Sequence, residues 1–151
     1  MTDKSAAASA GLTLPVVADL FADDPHGRAA LVGGYCEPCQ RYFYPRPDFC
    51  PACLQPAQRS LVGGSGQIYS YTVIRTRPPY QLPEPYAVGY IDLDASGLRV
   101  FGLFHPRAIS QLRIGLRVDL SVMPLGVDNA GKPCLRPVFS PLAGERPDHD
   151  E

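Results

Sequence analysis

The sequence has no tryptophan, only three histidines and few charges: Asp, Glu, Lys and Arg make up 19% of its 151 residues, with a net charge of −1. So slight a charge argues against a protein that lives on a phosphate backbone, which needs a strong basic bias. No run of about 18 apolar residues occurs, so no segment reads as a membrane-spanning helix. The first 20 residues hold one lysine and a broken apolar run, which makes a poor secretory signal. They read instead as a flexible Ala/Ser/Thr-rich leader over 1–14, and the chain as cytoplasmic, where thiols stay reduced and disulfides are rare. There is no Gly-x-Ser-x-Gly, Walker loop or dinucleotide fingerprint, and His26, His105 and His149 are scattered. The Gly-rich stretch 61–66 lacks the lysine and following helix of a phosphate loop. No complete catalytic constellation is visible.

What is present in quantity is proline and glycine, 17 and 14 residues, together with a normal 45% of hydrophobic residues. That combination points to a globular, mainly β chain of short strands and turns. Residues 15–34 carry Val16, Val17, Leu20 and Phe21 on one helical face, so a short N-terminal helix is expected before Pro25 and Gly27 interrupt it. An extended approach to the first cysteine follows. From residue 63 the pattern is of strands: GQIYSYTVI after a glycine-rich break, then a stiff proline loop at 75–86. AVGYIDLD and LRVFGLF flank an Asp-Ala-Ser-Gly hairpin turn. HPRAISQL reads as one or two helical turns with Pro106 at the start. Leu116, Val118, Leu120 and Val122 alternate with Arg117, Asp119 and Ser121, which marks a half-buried strand. A turn at 128–131 leads to a last strand around 135–139. Five strands with a helical turn between the third and fourth is the order of an OB-type barrel. The expected organisation is a leader over 1–14, a helical segment and cysteine-rich ribbon over 15–60, an OB-fold over 61–142, and an acidic disordered tail over 143–151.

Cys36, Cys39, Cys50 and Cys53 form two Cys-x-x-Cys pairs. Each pair offers two thiolates from one tight turn, and two such turns at the ends of a short hairpin close a tetrahedron about a metal. Four cysteines leave no open coordination position, so the site reads as structural Zn2+ that helps fold a segment too small to bury its own core. Iron uses the same ligands. A thioredoxin-like redox site needs one dithiol in a βαβ setting, and paired disulfides disagree with a cytoplasmic chain. Cys134 stands alone and reads as a small buried hydrophobe. Gln40 and Leu54 follow the knuckles where zinc ribbons often carry glycine, and both can take a left-handed backbone at a cost of about 1 kcal/mol.

The cysteine spacing with Tyr44-Pro45-Arg46 between the pairs, the strand from Gly66 through Thr72, and Leu112-Arg113-Ile114-Gly115 together resemble one family over roughly residues 15–140. It is the family of acyl-CoA-associated proteins that join an N-terminal rubredoxin-like zinc ribbon to a C-terminal OB-fold. The resemblance implies a non-catalytic auxiliary subunit whose partner is a thiolase-like, aldolase or hot-dog hydratase enzyme. It implies a scaffolding role with acyl-CoA at hand, and assigns no catalytic residue to this chain.

A surface for coenzyme A needs a few cations, an aromatic shelf and rigid walls. Arg75 and Arg77 lead into the proline loop beside Tyr80 and Tyr86, and Arg99 and Arg107 are further candidates; the same loop suits protein docking. Two other function classes are carried. One is single-stranded nucleic-acid binding through Tyr69, Tyr71 and Tyr90, against which the near-neutral charge argues. The other is an iron electron carrier.

Overall fold

The computed structural model describes residues 13–142, in which strands are the main element and the helical elements are two short 3-10 turns. The first sheet comprises β1 (Phe21–Asp23), β2 (Ala29–Cys36), β3 (Arg41–Phe43) and β4 (Gln58–Gly63), with β2 pairing antiparallel to the other three. The second comprises β5 (Ser65–Ile74), β6 (Tyr86–Leu93), β7 (Arg99–Leu103), β8 (Arg117–Val127) and β9 (Pro133–Pro141), in the order β7-β6-β5-β8-β9. A parallel bridge between Phe104 and Phe139 joins the two ends of this curled sheet, where the His105 N–H donates to the Phe139 carbonyl at 2.9 Å. That closure, with a 3-10 turn at Pro106–Gln111 between β7 and β8, is OB-fold connectivity.

Alternation decides the core. Leu116, Val118 and Leu120 are buried, as their spacing requires, while Val122 is only partly covered because β8 runs past the barrel. Ile68, Ile91, Leu93, Val100, Phe104 and Phe139 fill the interior, and Ala108 and Leu112 close it beneath the 3-10 turn. Leu31 of β2 and Val62 of β4 belong to the same cluster, so the two sheets share one core. Gly64 makes this junction tight: a Cβ there would lie 2.2 Å from the Ala29 carbonyl oxygen.

The hairpin turns form where the sequence places them. Gly97 closes the β6–β7 turn with φ +73, and the Asp128 carboxylate accepts from the N–H groups of Ala130 and Lys132 at 2.8 and 3.0 Å. The β5 strand carries a bulge at Tyr69 between its pairings with Ile91 and Tyr90.

The expected N-terminal helix is not there. Leu14–Val16 lies extended against β9, with the Leu135 N–H donating to Leu14 and the Val16 N–H donating to Leu135, each at 2.8 Å. Turns and bends follow, Asp19 is left-handed at φ 57, and Phe21–Asp23 pairs with Ala29–Leu31. Long-range pairing here satisfies backbone groups that an isolated amphipathic helix of this length would hold only marginally. The DDPHGR stretch is the hairpin loop, in which the Asp24 carboxylate accepts from the N–H groups of His26 and Arg28 at 2.8 and 2.9 Å. Of the expected leader only residues 13–14 are described; the rest of it and the expected tail at 143–151 lie outside the described residues. No helix among the described residues is long and apolar enough to cross a membrane.

Candidate metal centre and surface grooves

The two knuckles sit at the ends of facing segments. Cys36 ends β2, the chain turns through Cys39, and β3 returns from Arg41 against Tyr35 and Cys36. The second knuckle is pinned by the Leu54 N–H donating to Cys50 and the Cys50 N–H donating to Gln55, both at 2.8 Å. Gln40 and Leu54 adopt φ 52 and 62, the left-handed backbone expected after each knuckle. This geometry turns all four thiols toward one point. The Sγ atoms of Cys36 and Cys53 are 3.4 Å apart, those of Cys39 and Cys50 are 3.9 Å apart, and all four lie within 4.8 Å of one another. Sulfurs about 2.3 Å from a tetrahedral metal stand about 3.8 Å apart, so the cluster fits such an ion.

The electrostatics agree. Backbone N–H groups of Cys53 and Ala52 hold the Cys50 thiol down at about 7, although burial opposes them. Cys39 is pushed up to about 12 by its hydrogen bonds to Cys53 and Cys36 and by burial. Four adjacent thiols cannot all ionise without a cation among them, whereas a bound metal deprotonates them outright. Cys134 lies apart, buried on β9, with its Sγ 3.8 Å from the Leu125 carbonyl.

The arginine and tyrosine candidates do not form one patch. Arg75 and Arg107 both line a groove of about 620 Å³, together with Tyr71, Pro83, Glu84, Pro85 and Pro106. Arg77, Tyr80, Tyr86 and Arg99 do not line it. Tyr80 is left-handed at φ 55 and faces the Arg136 guanidinium at 5.3 Å; Arg136 is itself fixed by the Leu125 and Val127 carbonyls at 3.0 and 2.6 Å. Arg99 pairs with Asp92 at 2.7 Å and lies 3.3 Å over the Tyr69 ring, so its charge is already met. Sequence reasoning grouped Arg75 with its chain neighbours and missed Tyr71 as its companion; the outward alternation along β5 was the available signal. Tyr69 and Tyr90 do face outward, and Phe101 packs edge-on to Tyr90 at 5.4 Å, an aromatic neighbour that the sequence reading omitted.

Comparison with known proteins gives a consistent result. The family model described as the ChsH2 C-terminal OB-fold domain matches residues 60–122. A DUF35 domain-containing scaffold protein of Methanothermobacter thermautotrophicus is 30% identical over 97 residues, covering 62% of this chain and 71% of that protein. A protein of the same description from Methanocaldococcus jannaschii is 26% identical over 95 residues, covering 61% and 67%. Among solved structures, a chain of the Ltp2–ChsH2(DUF35) aldolase superposes with a TM-score of 0.57 at 30% identity, covering 74% of this chain and 84% of that one. With its barrel order, its four-cysteine ribbon and these relatives, the chain belongs to the DUF35/ChsH2-like OB-fold family.

Proposed function

We propose that this protein is a non-catalytic, zinc-binding accessory subunit that scaffolds an acyl-CoA-processing enzyme and helps organise its substrate. The observation that carries this reading is the likeness, at 30% identity and covering 84% of that chain, to a chain of the Ltp2–ChsH2(DUF35) aldolase. That likeness favours an aldolase-type partner over a thiolase-like or hot-dog hydratase one. The naming of both archaeal relatives as scaffold proteins supports the non-catalytic role. In this reading Cys36, Cys39, Cys50 and Cys53 hold Zn2+ with a closed sulfur shell. The metal then has no open position for substrate, and its effect is to fix the ribbon.

Arg75 and Arg107 are the groups we assign to the phosphates of coenzyme A, with Tyr71 and the proline walls as the shelf for its ring. Neither guanidinium has a carboxylate partner among the described residues, whereas Arg99 is taken by Asp92. A hydrogen bond to a charged group contributes roughly 1.5–3 kcal/mol. The double variant Arg75→Ala/Arg107→Ala is therefore expected to weaken coenzyme A binding by roughly 100-fold or more. Arg99→Ala should change it by about two-fold at most, since an exposed, already paired charge contributes little. Calorimetric titration of coenzyme A into the three proteins checks this, and equal losses in the single and double variants would remove the assignment.

A further inference from the structure

A smaller groove, of about 270 Å³, lies between the 3-10 turn and the end of β9. The turn is held in place from both sides: the His105 N–H donates to the Phe139 carbonyl at 2.9 Å, and the Arg107 N–H donates to His105 Nδ1 at 3.0 Å. With Nδ1 accepting, a neutral imidazole carries its hydrogen on Nε2. The lining therefore offers the Arg107 guanidinium, that imidazole N–H, the Gln111 amide and the Ser140 hydroxyl, and it contains no carboxylate. Arg107 also lines the larger groove with Arg75, so the two concavities adjoin at one guanidinium.

The described chain ends on this lining. The Leu142 N–H donates to the Arg117 carbonyl at 3.2 Å, which fixes the point from which residues 143–151 depart. Their sequence is AGERPDHDE, with Glu145, Asp148, Asp150 and Glu151 against Arg146 alone, a net charge of −3. Fully extended, nine residues span about 30 Å, and Glu145 lies within about 10 Å of Leu142 along the chain. Leu142 also lines a further concavity, with Arg28 and Arg117. There Arg117 is paired with Asp94, and Asp119, which accepts from the Ser65 hydroxyl, adds a second carboxylate. Those two carboxylates oppose an acidic segment, whereas the groove at Arg107 presents only donors to it.

We propose that residues 143–151 dock in the groove at Arg107, where their carboxylates compete with the anion held by Arg75 and Arg107. Tethering makes the contact intramolecular and raises the effective concentration of these carboxylates to the millimolar range. Each exposed ion pair is weak, so an incoming phosphate displaces the segment rather than being shut out. The competition rests on the assignment of Arg75 and Arg107 to coenzyme A; the docking does not.

A full-length variant carrying Glu145→Gln, Asp148→Asn, Asp150→Asn and Glu151→Gln keeps the length of the segment and removes its negative charge. Amide NMR of the zinc-loaded chain at low salt, with and without these substitutions, should differ at His105, Arg107, Ala108 and Gln111. The difference should not depend on protein concentration, and it should vanish in about 1 M NaCl, where the Debye length falls to about 3 Å. Calorimetric titration should show coenzyme A binding roughly three- to ten-fold tighter in the neutralised variant at low salt. Three results would each overturn the docking: no amide changes at the turn, changes around Arg28 and Ser65 instead, or changes that grow with protein concentration and so place the segment on a second copy. Equal coenzyme A affinity in the two proteins would overturn the competition. Absence of coenzyme A binding from both would overturn the phosphate assignment and the competition with it, while the amide changes still read the docking.

Discussion

Replacing Cys50 by serine is expected to strip the proposed zinc and unfold the ribbon while the sequence around it is otherwise unchanged. Cys50 is wholly buried, and its sulfur is the one that backbone N–H groups hold closest to the thiolate. Serine keeps the volume but offers a poor ligand, and three remaining sulfurs do not close the shell. Structural zinc contributes about 10–16 kcal/mol of apparent folding free energy in small ribbons, far more than any single packing contact here. Metal analysis should fall from one zinc per chain to nearly none, with hydrogen exchange becoming rapid across residues 36–54. A strong chelator should do the same to the unsubstituted protein. Cys134→Ser is the control. Its sulfur lies outside the cluster, so zinc content should stay at one per chain. Retention of zinc by Cys50→Ser, or its loss from Cys134→Ser, would contradict the assignment.

The second large effect is expected at Phe104. It is 1% exposed, its N–H donates to the Ala87 carbonyl at 3.0 Å, and it forms the bridge to Phe139 that closes the barrel. Phe104→Ala should cost about 3–5 kcal/mol, since it removes a ring from a core that cannot collapse around the gap. Phe101, three residues earlier and 56% exposed, faces outward. Phe101→Ala should change stability by about 0.5 kcal/mol or less. Urea denaturation of the two variants reads this contrast directly. A similar midpoint shift in both would mean that β7 does not lie in the register described.

The ribbon and the barrel were legible because their signals are local. Four cysteines at fixed spacing define a tetrahedron whatever the rest of the chain does. The left-handed backbone at Gln40 and Leu54 follows from the knuckle geometry alone. The alternation through Leu116, Val118 and Leu120, and the Asp-Ala-Ser-Gly turn, likewise need no distant partner. The N-terminal segment was misread because its apolar spacing suits a helix, while its structure is decided elsewhere. Leu135 lies some 120 residues along the chain, and nothing near Leu14 announces that its edge is open. The groove proposed for coenzyme A was not legible for the same reason. Arg75 and Arg77 are adjacent in sequence, but the proline loop carries Tyr80 toward Arg136, and the 3-10 turn brings Arg107 to Arg75 instead.

If this chain is a scaffold, the chemistry belongs to its partner. The most direct measurement is the rate of acyl-CoA turnover by three samples: the isolated zinc-loaded chain, an aldolase-type partner alone, and the two recombined. The chain alone should show no turnover above the uncatalysed rate, and the recombined pair should co-elute as one complex with activity well above that of the partner alone. Turnover of an acyl-CoA thioester at enzymatic rates by the isolated chain would contradict the account.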